Sequence, residues 1–99
     1  DAVIALDNGD TIHGTFIAVN SKGEALVPIL NALAFDSMTA HWEFAYGPDN
    51  FRRIVDKLDF PMLAINCYKK FTDRLVFPPF HIVERGGLRV GVIGIASNI

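Results

Sequence analysis

One cysteine, Cys67, in 99 residues leaves no possibility of an internal disulfide, so the fold cannot depend on cross-linking. Its apolar neighbours mark it as a buried thiol without a chemical role. Long hydrophobic runs are also missing. Asp7, Asp36, Glu43, Asp56 and Lys69–Lys70 break every apolar stretch before the ~18 residues of a membrane span, so no span is expected. Neither sign of charge is in excess: the net charge of −2 gives no electrostatic reason to bind a nucleic-acid duplex. The chain lacks the Gly-x-Ser-x-Gly elbow of a serine hydrolase, and Gly86, Gly87, Gly91 and Gly94 lack the strand-to-helix setting of a dinucleotide loop. It also lacks an initiator Met and opens on a strand-like run, the pattern expected of an internal segment.

What is present is apolar and patterned. Hydrophobic residues make up 51% of the chain against 20% charged, which excludes a disordered segment and predicts one packed unit. Ala2 to Leu6 reads as a strand buried on both faces. Ser21-Lys22-Gly23-Glu24 fits a capping box, and Leu26, Ile29, Leu30 and Leu33 then share a helical face. Pro28 lies inside that pattern, so the regular helix is expected to start near Val27. Ser37 to Ala40 is a second short strand. Gly47-Pro48 opens a helix with Phe51, Ile54, Val55 and Leu58 on one side and Arg52, Arg53, Asp56 and Lys57 on the other. Met62 to Ile65 reads as a third strand, Asn66 to Pro79 as a connection, and Phe80 to Arg85 with Leu88 to Ile95 as a hairpin closed by Gly86-Gly87. The fold class is therefore α/β, in βαβαβ order followed by a β-hairpin. A mostly parallel sheet is expected, shared by the strands at 2–6, 37–40, 62–65 and 88–95.

Two parallel neighbours open their carboxyl ends at one edge, where open α/β sheets bind ligands. The loop Asp7-Asn8-Gly9-Asp10 would then meet Ala40-His41-Trp42-Glu43. Asp10, a carboxylate at a buried strand end, is desolvated unless a cation pairs with it, which makes it a candidate metal ligand. His41 is its candidate partner, because carboxylate and imidazole together suit a first-row divalent metal. Asp7 is assigned to capping the loop backbone. His13 and His81 are given no role.

At Gly9-Asp10 and Ala40-His41-Trp42-Glu43-Phe44 the chain resembles the calcineurin-like metallophosphoesterases, in particular their 5′-nucleotidase and cyclic-nucleotide phosphodiesterase branch. The resemblance runs on through Leu6 to Thr15, Phe35 to Phe44, Asp59 to Tyr68 and Phe77 to Ser97. It implies that residues 1–99 are part of a metallophosphoesterase α/β sandwich, an internal piece of the amino-terminal catalytic domain without the family's first (Asp-x-His) and last (Gly-His-x-His) metal motifs. It implies a divalent metal pair (Zn, Mn, Fe or Ca), with Asp10 as a ligand. The family's second motif, Gly-Asn-His-Glu, falls on Ala40, His41, Trp42 and Glu43. His41 thus takes the place of the metal-binding Asn, where imidazole still coordinates. Trp42 takes that of the catalytic His, where indole can neither protonate a leaving group nor bind metal. A shift of one residue would instead give His41 the catalytic role. Asn8, Trp42 and Glu43 are expected around these ligands, and no nucleotide-binding residue is assigned. The implied substrate of the intact protein is a nucleotide or other phosphate ester, hydrolysed at the metal pair. The alternative is an inactive nucleotide- or metal-binding relative. The segment by itself is expected to be inactive and to self-associate through the surface its missing neighbours would cover. Many relatives of this kind are secreted or held at the cell envelope, but the segment itself carries no address, and a cytoplasmic location stays open.

Overall fold

The computed structural model describes residues 2–97, so the two ends of the expected 1–99 unit lie outside the described residues. The strands β1 (Leu6–Asp7) and β2 (Ser37–Met38) pair in parallel, with Leu6 opposite Ser37 and Asp7 opposite Met38. On the other side of β2, Met62 bridges Met38, again in parallel. The first three expected strands therefore lie side by side in the expected order, but their regular ladder is only a few residues long. Just before the ladder both backbone groups of Ala5 bond Asp36, the N–H donating to its carboxylate at 2.9 Å and the carbonyl accepting its N–H at 2.8 Å. Val3 and Leu6 are 65% and 52% exposed. Burial of this run on both faces is thus not met by the described residues.

Between β1 and β2 the chain forms α1 (Phe16–Ser21), which no sequence signal announces, and α2 (Val27–Leu33). Thr15 caps α1 by accepting the Ala18 N–H on its hydroxyl. The expected capping box is a different device. Ser21 ends α1, accepting the Ala25 N–H at 3.1 Å, while Glu24 pairs with Lys57 instead of reaching back. A short 3₁₀ turn, Glu24–Leu26, then leads into α2. α2 begins at Val27 with Pro28 in its first turn, where no intrahelical N–H is required. Of its expected apolar face, Leu30 is buried but Ile29 and Leu33 are more than half exposed.

The helix α3 (Pro48–Lys57) follows its pattern, with Phe51 and Ile54 buried and the four charged residues turned outward. Its Phe51 ring stacks edge-on with Phe44 at 4.7 Å and Phe77 at 5.4 Å. Around it Ile12, Leu30, Met38, Ile54 and Met62 complete the core. Burying such a side chain contributes about 1.5–3 kcal/mol each, and this cluster fixes the helices against β2.

The hairpin β3 (Phe80–Arg85) and β4 (Leu88–Ile93) turns on Gly86 and Gly87 with φ of 57° and 77°, as two-residue turns demand. It does not join the parallel ladder as expected but forms a two-stranded sheet of its own. Pro78 and Pro79 precede it and have no N–H to continue a ladder. What ties the two sheets together are separate bonds, Ala64 N–H to Pro78 O at 3.0 Å and Ile65 N–H to Gly94 O at 2.8 Å. Gly94 also ends β4 two residues before the expected Ile95. A Cβ at Gly94 would lie 2.4 Å from the Leu63 carbonyl oxygen, so this crossing requires glycine. Gly94→Ala is expected to lower stability by about 2–3 kcal/mol in urea denaturation. Gly91→Ala, where the nearest atom is 3.8 Å away, should stay within about 0.5 kcal/mol of the parent.

Candidate metal centre

Because β1 and β2 run in parallel, the loops after Asp7 and Met38 leave the sheet at the same edge. The first loop folds on its own carboxylate. Asp7 accepts the Gly9 N–H at 2.8 Å and the Thr11 hydroxyl at 2.8 Å, the backbone-capping role assigned from the sequence. Gly9, at φ 87°, passes so close to the second loop that a Cβ would lie 2.8 Å from the His41 nitrogen. Asp10 follows in the left-handed region at φ 66°.

Glu43 joins the two loops. It lies in a 3₁₀ turn (Trp42–Tyr46) and is fully buried. One carboxylate oxygen accepts the Thr11 N–H at 2.7 Å and the other the His41 N–H at 2.6 Å. Thr11 follows Asp10 and His41 is the other candidate ligand, so this carboxylate ties together the backbone that carries both. His41 Nδ1 lies 3.4 Å from Asp10 Oδ1, buried and without a hydrogen-bond partner. The expected convergence of Asp10 and His41 is present.

Around them the expectations divide. Asp10 is about half exposed, so the desolvated strand-end carboxylate expected from the sequence is not found. Its neighbour is His13, whose Nε2 contacts Asp10 Oδ1. That hydrogen bond is the main cause holding the Asp10 carboxyl below its ordinary 3.8; desolvation opposes it, and the His41 contact adds a smaller lowering. His13 has no role by sequence reasoning; the available signal is its i, i+3 spacing from an Asp in a tight Gly-containing loop. His81 lies on β3 opposite Val92, in the hairpin, and takes no part. Trp42 is 45% exposed, with its ring centroid 6.0 Å from that of His13 and 6.1 Å from that of His41. Asn8 is exposed and lines a cleft of about 290 Å³ with Asp7, Thr39 and Gly94.

The donor chemistry suits a divalent cation. An orphaned imidazole nitrogen beside a carboxylate oxygen is a pair that a transition metal can share. Among the described residues no group of three or more His, Cys, Asp or Glu side chains is arranged to hold an ion.

No family model matches the sequence. Individual proteins do. The chain is 32% identical over 95 residues to the "Probable 5′-nucleotidase" of Treponema pallidum (strain Nichols), covering 93% of this chain and 16% of that protein. The crystal structure of a 5′-nucleotidase precursor from Thermus thermophilus matches 98% of this chain with a TM-score of 0.85 and 28% identity, over 20% of its own length. The sulfate thiohydrolase SoxB of Thermus thermophilus matches 94% with a TM-score of 0.88 and 26% identity, over 17% of its own length. The chain belongs to the 5′-nucleotidase branch of the metallophosphoesterases. It spans about a fifth or less of the length of these relatives.

Two outcomes test the geometry of this metallophosphoesterase segment. Glu43→Gln places an amide NH₂ against one of two N–H donors and leaves that donor unsatisfied, so it should destabilise the fold by about 1–3 kcal/mol in denaturant titration. In His13→Ala the Asp10 carboxyl, followed by ¹³C NMR, should titrate closer to its ordinary 3.8 than in the parent. An unmoved Asp10 titration would remove His13 as the cause.

Proposed function

We propose that this segment is part of a larger catalytic domain that hydrolyses nucleotide phosphate esters with a divalent metal pair. The observation that carries the reading is the buried, unpartnered His41 Nδ1 standing 3.4 Å from Asp10 Oδ1 at the carboxyl edge of a parallel sheet. The 5′-nucleotidase names of its sequence relatives support the substrate class. Asp10 and His41 would hold metal. Bound there, the pair supplies Lewis-acid stabilisation of charge on a phosphoryl group. Whether the ions are Zn, Mn, Fe or Ca is set by ligands beyond these two. Glu43 keeps the two ligand loops in register, and Asp7 holds the backbone that presents Asp10. Asn8 lines the adjoining face. In the isolated segment, the exposed Val3, Leu6, Ile93 and Ile95 favour self-association.

Trp42 favours a second reading, a weakened or inactive relative that binds nucleotide or metal. It occupies the place where the resembled motif carries its catalytic His, and indole cannot supply a proton at neutral pH. His41, one residue earlier, is the group placed to take over that role.

The deciding experiment is a phosphatase assay of the full-length protein on nucleoside monophosphates, with and without Mn²⁺ or Zn²⁺. Metal-dependent release of phosphate is expected. Asp10→Asn should lower metal content and activity together with the fold intact, and an unchanged metal content by elemental analysis would remove Asp10 from the ligand set. General-acid assistance contributes roughly a hundred- to ten-thousand-fold in rate. The double change His41→Asn with Trp42→His should therefore raise turnover at unchanged metal content if the Trp42 site is weakened, and leave it flat or lower if His41 already serves.

A further inference from the structure

A second cleft, of about 480 Å³, lies between α3 and the turn that follows the third strand position. It is separate in composition from the metal centre, although Phe44 in its wall comes only three residues after His41. The wall is aromatic: Phe44, Phe51 and Phe77 line it in the edge-on stack already described, and Tyr68, 55% exposed, stands at its mouth. The turn is braced by Val76 N–H donating to Cys67 O at 2.9 Å and Lys69 N–H donating to Arg74 O at 2.8 Å. It brings Lys69 and Lys70 to the rim, and α3 adds Arg52.

These three cations have no ion-pair partner among the described residues, which is equally true of Lys22, Arg53 and Arg74, and Lys70 Nζ lies 4.9 Å from the centroid of the Phe71 ring. Asp49 is the single acid lining the cleft. The local charge is thus positive in a chain whose net charge is −2. The volume falls within the roughly 300–1,000 Å³ of small-molecule sites, which are typically apolar with a few polar groups fixing orientation. Aromatic walls favour a flat ring, and unpaired cations at the mouth favour an anion attached to it.

We propose that this cleft binds an anionic ligand with a planar ring, of the nucleoside monophosphate class, the ring against Phe44 and Tyr68 and the phosphate at Arg52, Lys69 and Lys70. The choice of a nucleotide over another aromatic anion rests on the proposed hydrolase reading. The binding itself needs no metal.

The test uses full-length protein stripped with EDTA and photolabelled with 8-azido-AMP, the labelled peptides being mapped by mass spectrometry. Label is expected on peptides within residues 44–77, competed by AMP at least tenfold better than by adenosine, with the advantage shrinking as salt rises. Lys69→Glu with Lys70→Glu, both at exposed positions, should cut that label at least tenfold while circular dichroism stays unchanged. Absence of label from these peptides, or label undiminished in the double variant, would overturn the proposal. Metal-dependent hydrolysis measured on the same preparation reports on the phosphoesterase reading separately, so activity without label here would sink this cleft alone.

Discussion

The buried carboxylate of Glu43 is the contact on which the candidate site depends. Removing a carboxylate from water costs several kcal/mol, and Glu43 recovers it through short bonds from two backbone N–H groups, each worth about 1.5–3 kcal/mol. The balance is close to even, so the consequence is mainly geometric. Thr11 and His41 belong to loops about thirty residues apart in sequence, and one side chain holds both. Gly9 makes the arrangement possible by letting one backbone lie against the other without a Cβ between them.

Everything beneath that clamp serves to bring the loops to one edge. The parallel pairing of β1 and β2 needs a crossover, and the Phe16–Leu33 region supplies it with two short helices joined by a 3₁₀ turn. The core around Phe51 then anchors α3 under the loop that carries His41. The hairpin is attached differently, through Gly94 and through Arg85, which pairs with Asp36 and donates to the Val3 carbonyl at 2.9 Å. Asp36 in turn accepts from Ala5, so the hairpin, β1 and the approach to β2 meet at a single carboxylate. This network carries none of the chemistry but holds the strand whose end presents it.

The two clefts draw on different physics. At the candidate metal centre a carboxylate oxygen of Asp10 and a ring nitrogen of His41 stand 3.4 Å apart, held by the backbone of two loops. Between α3 and the Cys67–Val76 turn, aromatic surface and long cationic side chains offer contact area and charge without a fixed centre.

The amino-acid sequence by itself determined the order of elements, the amphipathic α3, the Gly86-Gly87 turn, the start of α2 near Val27 and the meeting of Asp10 with His41. Each follows from local signals: periodicity, a proline or glycine at a tolerated position, or a short strand ending in a polar loop. Tertiary structure alone decided the rest. Ser21 closes a helix instead of opening one, its hydroxyl donating back to the Ile17 carbonyl at 2.7 Å before the left-handed cap at Lys22, and α1 itself had no strong periodicity to announce it. The hairpin stands apart from the parallel ladder and is joined to it by single backbone bonds such as Ala64 N–H to Pro78 O and Ile65 N–H to Gly94 O. His13 acquires its partner through the left-handed turn at Asp10, a backbone choice that composition does not reveal. Glu43 becomes a clamp only once two loops distant in sequence are folded to the same edge, since its hydrogen-bond partners do not exist as neighbours until then.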